Sequence, residues 1–335
     1  MVSYSMPPEW SAHEACYTAW PAHEYAWGSQ LRAAQREFAV FARAFAAPGQ
    51  EPLIVLVQPE FAAEAEAALR PDGRSIVLHT LDYGDVWLRD TAPVFVRGPQ
   101  GRASVRFRFN GWGEKYIYPH DAQLAERLAA LRDEPAVAFD WVLEGGAVDV
   151  DGEGTVLTTR SCLRNPNRGD ASEATIEARL KEALGVRRVI WLDQGLLNDH
   201  TDGHIDNIAR FVAPGVVVCM QAHADDDPNA DTLDAIADAL ARARDARGQM
   251  LKVMRIPSPG RVRGPEGQVM PASHMNFYIG NARVLLPVFG GAWDEAARAA
   301  LQAIFVDREV VACPARALLT GGGTFHCMTQ QLPTP

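Results

Sequence analysis

The chain predicts an α/β fold built as a five-bladed pseudosymmetric propeller, closed by pairing of its N- and C-terminal strands. Two observations carry this. A unit of β-hairpin, helix and further strand recurs four times along the sequence, and a recurrence of that kind points to internal symmetry. The two chain ends supply the pieces of a fifth unit, split between them. The hairpins argue against a doubly wound open sheet, because parallel strands need long crossovers where these segments have tight turns. With 335 residues and 47% hydrophobic content, the chain is read as a single domain, 1–335.

Taken in order, "ACYTAWP" reads as a strand, and the apolar spacing of 29–46 as a helix leading to the strand "PLIVLVQ". This unit is the least regular: "FAAEAEAALR" adds a helix and "SIVLHTL" a strand. "APVFVRGPQGRASVRFRF" reads as two strands about Gly-Pro-Gln-Gly, and "AVDVDGEGTVLTTR" as two about Asp-Gly-Glu-Gly. "NIARFVAPGVVVCMQ" and "NFYIGNARVLLPVF" repeat the pattern about Ala-Pro-Gly and Gly-Asn. Apolar residues three and four apart predict helices after the hairpins, at 121–132, 172–184, 229–246 and 293–304. Each leads to a strand: "AVAFDWV", "RRVIWL", "LKVMRI" and "EVVACP". Near the end, "TFHCMTQ" is expected to pair with "ACYTAWP", so that the ring has no free edge.

Composition narrows the function. The net charge is −10 and no Lys/Arg cluster interrupts it, which excludes nucleic acid as the main partner. An acidic balance suits a small cationic substrate. No basic region followed by an apolar stretch opens the chain, and no apolar run is long enough to cross a membrane. The five cysteines are odd in number, far apart and without a C-x-x-C pair. Neither a disulfide framework nor a zinc knuckle is expected, and a cytoplasmic location is.

The chemistry is expected where each hairpin begins: "VWLRDTAPVF", "VLEGGAVDV", "TDGHIDNIARF", "PASHMNFYI" and "GGGTFHCMT". In a ring of repeats these positions converge on the axis. Asp90, Glu144, His204, Asp206 and Cys327 would then share one pocket. Cys327 follows Gly321, Gly322 and Gly323, which permit close approach of backbone to a ligand. A cysteine in a strand is otherwise a small buried hydrophobe, the reading given to Cys16, Cys162, Cys219 and Cys313. His204 and Asp206, if extended, point the same way; the alternative is a loop histidine with a capping aspartate. His200, His204 and Asp206 could also ligate a metal, as in a metal-dependent hydrolase. Glu144 reads as a site carboxylate or a satisfied turn residue, Asp90 as a ligand or a partner of Arg89, and Trp87 as core or pocket wall. Several carboxylates beside a thiol and an imidazole would repel a developing oxyanion. They suit a planar guanidinium, which paired carboxylates can hold.

Ordered motifs along nearly the whole chain carry a resemblance: "MPPEWSAHEACYTAWP", "WLRDTAP", "FNGWGEKY", "LEGGAVDVDGEGTVLTT" with "CLRNPNR", "DHTDGHIDN", "ASHMNFYIGN" and "GGGTFHCMTQQ". The chain resembles the agmatine deiminase and bacterial-type peptidyl-arginine deiminase family, of the guanidino-group-modifying (pentein) superfamily. The resemblance implies the five-bladed fold, Cys327 as nucleophile and His204 as general acid and base. It implies Asp90 and Asp206 as grips on the guanidinium, with Glu144 orienting His204 or taking a further N–H. Trp87 and Trp112 become pocket walls. No metal or organic cofactor is implied, and a homodimer is. Family members commonly carry an acidic residue where this chain has His200; Asn198, Asp199 and Asp202 are the neighbours that could compensate by binding substrate. Arg106 and Arg108 read as a carboxylate clamp for a peptidyl arginine or as a solvated strand face. The substrate expected is agmatine, with a C-terminal arginine of a peptide as the alternative. A propeller used only for binding is the reading outside catalysis.

Overall fold

A computed structural model describes residues 4–335 as a mixed α/β fold. Its strands form five sheets among the described residues. Four are three-stranded and wired alike: the first strand antiparallel to the second, the second parallel to the third. A turn joins the antiparallel pair, and a helix bridges the parallel pair, as a crossover requires. The fifth sheet runs Gln330–Pro333, His13–Ala19, Leu53–Val57, Ile76–Thr80.

The chain ends therefore do pair, antiparallel, with Gln331 opposite Cys16 and Leu332 opposite Ala15. The expected register is corrected. Residues 325–328 form a turn, and the strand begins only at Gln330. The cause is local: Thr324 and His326 carbonyls accept from Met328 and Thr329 N–H at 3.0 and 3.1 Å. Those groups are spent before a ladder can use them. The five sheets remain separate ladders, and no closed sheet forms among the described residues.

Three helices lie close to their expected bounds: Asp121–Ala130, Glu173–Leu184 and Asp294–Ile304. Ser172 caps the second by accepting from Thr175 N–H, and Gly185 ends it in the left-handed region. The helix expected over 229–246 is shorter, Ala230–Arg242. Beyond it, Asp245 Oδ1 accepts from Arg247 and Gln249 N–H at 2.9 Å each. That side chain offers the backbone a turn in place of a further helical one.

The helix Leu31–Phe45 buries Leu31, Ala34, Gln35, Phe38, Phe41, Ala42 and Phe45 on one face. Phe38 meets Trp20 edge-on, and Phe41 stacks on Phe325 with centroids 4.7 Å apart. Phe325 is fully buried in the turn that carries Cys327, so this outer helix helps to place the thiol.

Each sheet's first strand is preceded by such a turn. Leu88–Thr91 precedes Val94–Gly98, Gly145–Ala147 precedes Asp149–Val150, and Ile205–Asn207 precedes Ala209–Ala213. The extended reading of the H-x-D segment is thus corrected. Asn207 and Ile208 N–H close back onto His204 and Ile205 carbonyls, making a single 3₁₀ turn. No helix among the described residues is long and apolar enough to cross a membrane.

Candidate active site

The turns bring Asp90, His204 and Asp206 to one point, marked by Gly146. A Cβ there would lie 2.6 Å from His204 Nδ1 and 3.1 Å from both Asp206 Oδ2 and Asp90 Oδ1. Only glycine leaves room for the three side chains. Its N–H also donates to Asp90 Oδ1 at 2.9 Å, and Trp112 Nε1 donates to Asp90 Oδ2 at 2.8 Å. Asp90 is therefore not paired with Arg89, whose guanidinium turns to Glu9, Gln331 and the His326 carbonyl. His204 Nδ1 lies 3.8 Å from Asp90 Oδ2, and neither ring nitrogen has a hydrogen-bond partner. Glu144 accepts from Arg168 Nε at 2.8 Å through Oε1, while Oε2 is buried and unpartnered.

Cys327 joins this group. Its sulfur is 3.5 Å from Asp206 Oδ2. Gly323 makes the approach possible, since a Cβ on it would fall 2.8 Å from Cys327 Cβ and 3.0 Å from its sulfur. Asn276 holds the turn: Nδ2 donates to the sulfur at 3.0 Å, and Oδ1 accepts from Thr324 Oγ1, His326 N–H and Cys327 N–H. Sequence reasoning missed Asn276, although it begins the fourth hairpin in "ASHMNFYIGN", where the repeat itself pointed.

A cavity opens onto Cys327 and Asp90 between the aromatic walls Trp87 and Trp112. Glu144, His204 and Asp206 are fully buried and lie behind that lining. Asp202 does not line it. Its carboxylate is committed to Lys115 at 2.6 Å, to Asn167 Nδ2 at 3.0 Å and to Arg168, so its expected contact with substrate is corrected to a support for Arg168. Asp85, unnoticed in the sequence, does line the cavity, beside Tyr25 and Tyr118.

Burial dominates the electrostatics. It pushes the Cys327 thiol well up, aided by Asp206 and Asp90 and opposed by Asn276. Burial, Asp206 and Glu144 raise Asp90 well above the usual carboxylate range. Burial also acts to raise Asp206, but the hydrogen bond and charge of His326 prevail and hold it low. His204 is driven down to about 3 by burial, against the pull of Asp206, so its ring is neutral at pH 7. Burial and the neighbouring Asp121 lift Asp85 to about 8.

The alternative metal set, His200, His204 and Asp206, does not assemble. His200 stands on the exposed rim against Tyr116, while His204 is fully buried. The one potential donor group among the described residues is Glu144, Cys162 and His204, with donor atoms within 4.8 Å of one another. The Arg168 guanidinium on Glu144 opposes a cation there. Arg106 and Arg108 pair with Glu126 and Asp140, away from the cavity lining, which agrees with their reading as a solvated strand face and not as a carboxylate clamp.

The chain and its fold have known relatives. Residues 5–333 match the model of the Porphyromonas-type peptidyl-arginine deiminase family. The agmatine deiminases of Stutzerimonas stutzeri and Pseudomonas aeruginosa are each 37% identical, over 99% of this chain and 96% of theirs. The structure of the Enterococcus faecalis agmatine deiminase superposes with a TM-score of 0.93 at 30% identity, covering 99% of this chain and 96% of that one. An amidinotransferase from Microseira wollei, 12% identical with a TM-score of 0.58, shares the fold. The chain belongs to the Porphyromonas-type peptidyl-arginine deiminase family.

Proposed function

We propose that this chain hydrolyses the guanidinium of agmatine to N-carbamoylputrescine and ammonia. The observation that carries the substrate is the cavity wall. It offers Asp85, Asp90 and several aromatic rings, and no lysine or arginine among the described residues. A ligand cationic at both ends can displace the protons that burial leaves on Asp85 and Asp90 and meets π-faces there, whereas the carboxylate of an arginine or of a peptide terminus finds no countercharge. The agmatine deiminases similar to this chain support the same choice.

The chemistry follows from the residues. In the empty site Cys327 is a thiol. A guanidinium held by Asp90 and Asp206 favours its thiolate, and neutral His204 takes the proton. The sulfur adds to the guanidinium carbon, the C–N bond to one NH₂ breaks, and protonated His204 gives its proton to the departing ammonia. An S-alkylthiouronium remains on Cys327. His204 then takes a proton from water, whose oxygen adds to the same carbon. The C–S bond breaks, returning its electron pair to sulfur, and the ureido product loses the hydroxyl proton as its carbonyl forms. Glu144 is assigned to orienting that ring once substrate is bound, since its buried Oε2 has no partner and a Glu144 oxygen lies near a His204 ring nitrogen. No step requires a metal or an organic cofactor.

The same reading takes the five sheets as blades of one pseudosymmetric ring and the chain as a single domain. Their common wiring and the pairing of the chain ends support it. The experiment is side-by-side turnover of agmatine, arginine and a peptide ending in arginine, scored by ureido product. Agmatine is expected to be strongly preferred. Cys327→Ser should lower turnover by a factor on the order of 10³ or more while keeping substrate binding. Normal turnover by that variant, or turnover abolished by a chelator, would refute the thiol mechanism.

A further inference from the structure

Glu9, in the N-terminal "MPPEW" motif, has no part in the chemistry above, yet it is buried and heavily bonded. We propose that Glu9 and His326 are positioning residues that keep Asp206 charged and aimed at the guanidinium. The proposal rests on the deiminase reading and adds to it.

His326 lies between two carboxylates. Its Nδ1 is 2.7 Å from Asp206 Oδ2, and its Nε2 is 2.7 Å from Glu9 Oε2. An ionised carboxylate only accepts, so both ring nitrogens donate. Glu9 is itself fixed from several directions. Its Oε2 meets Arg89 Nη2 at 3.2 Å and Arg210 Nη2 at 3.0 Å, and its Oε1 accepts Ile279 N–H at 2.7 Å. Arg210 is anchored in turn by Asp149 at 2.5 Å. All these side chains are buried, where charged hydrogen bonds are strong and unpaired ones costly.

The consequence falls on Asp206. One of its oxygens is committed to His326, and the other, Oδ1, is buried without a partner. The free oxygen is the one left for a substrate N–H. Without the His326 proton donor, Asp206 would sit against Asp90 with less positive charge to offset burial. It would bind a proton more readily, and a protonated carboxyl holds a cation poorly. Glu9 and His326 lie outside the cavity lining, and His326 touches Asp206 directly while Glu9 touches His326, so both act through Asp206.

The test uses full-length protein carrying Cys327→Ser, in which agmatine binds without reacting. Glu9→Gln, His326→Phe and His326→Asn are added singly, and agmatine affinity is measured by calorimetry at pH 6.5 and 8.5 beside a thermal melt. The charged and titratable groups facing Asp206 are Asp90, Asp199, His204, Arg210, His326 and Cys327. The expected result is a loss of affinity of roughly 10- to 100-fold at pH 6.5, smaller at pH 8.5 because Asp206 regains its charge. His326→Asn, which keeps one donor, should recover part of what His326→Phe loses. With Cys327 intact, KM should rise more than kcat falls. A merely structural role would lower the melting temperature and leave affinity in the folded protein unchanged at both pH values; that outcome overturns the proposal. Should His326→Phe fail to fold, the isosteric Glu9→Gln decides by the same measure. A Cys327→Ser parent that binds no agmatine overturns the substrate reading instead, and the proposal with it.

Discussion

Gly146 illustrates how much one hydrogen atom in place of a side chain can decide. His204, Asp206 and Asp90 all crowd the position a Cβ would occupy. Gly146→Ala is expected to leave the fold intact and displace the His204 ring. A shift of about 1 Å at reacting groups can lower rate roughly 100-fold. Steady-state kinetics beside a circular-dichroism spectrum checks this, and a folded variant with unchanged kcat/KM would contradict the geometry. The residue scale is also where the sequence was most uneven as a guide. Asp90, Glu144, His204, Asp206 and Cys327 stood out because polar side chains at the start of a hairpin are unusual. Asn276 and His326 occupy equivalent turns, but an amide and an imidazole beside apolar residues look ordinary until their partners are known. Asp202 erred the other way: its charge was legible, its neutralisation by Lys115 and Arg168 was not.

At the scale of elements, the decisive piece is the turn 325–328. Hydrophobic pattern alone reads "TFHCMTQ" as strand, since pattern reports which residues are buried and not which backbone groups are free. Hydrogen bonds within 324–329 settle the matter in favour of a turn. Phe325 ties this turn to the helix Leu31–Phe45 through Phe41. Phe325→Ala should destabilise the protein by about 3–5 kcal/mol, the usual range for emptying a buried aromatic site. Urea denaturation measures it. Activity should fall more than that of a distant variant of equal stability, because the same turn holds the thiol. The helices were legible to within a few residues, except where the Asp245 turn cut one short.

Across the whole molecule, burial gives the chain a particular response to pH. Asp85 and Asp121 are raised to about 8 and about 7, chiefly by burial. The folded state then holds protons that the unfolded state, with ordinary carboxylates near 4, has released. Stability from these groups is full below about pH 4 and is lost as pH rises through 7 and 8, with a slope of at most about 1.4 kcal/mol per pH unit for each proton. Asp121→Asn keeps an oxygen for the Gly84 and Asp85 N–H groups and removes one titration. Its melting temperature relative to the parent should therefore climb between about pH 4 and pH 7 and level off above. A difference that stays flat over that range would contradict the assignment.

The sequence alone determined the α/β class, the repeated hairpin–helix–strand unit, the pairing of the chain ends and the candidates Asp90, His204, Asp206 and Cys327 that the turns bring close together. Those follow from periodicity, turn chemistry and motifs, which are local and written in order along the chain. Tertiary structure decided which carboxylates stay free and which are spent on ion pairs, how Asn276 grips the sulfur, and that Glu9 reaches His326 across a separation of 317 residues. Charge state and hydrogen-bond partnership depend on what lies within a few ångströms, and only folding brings such distant residues that close.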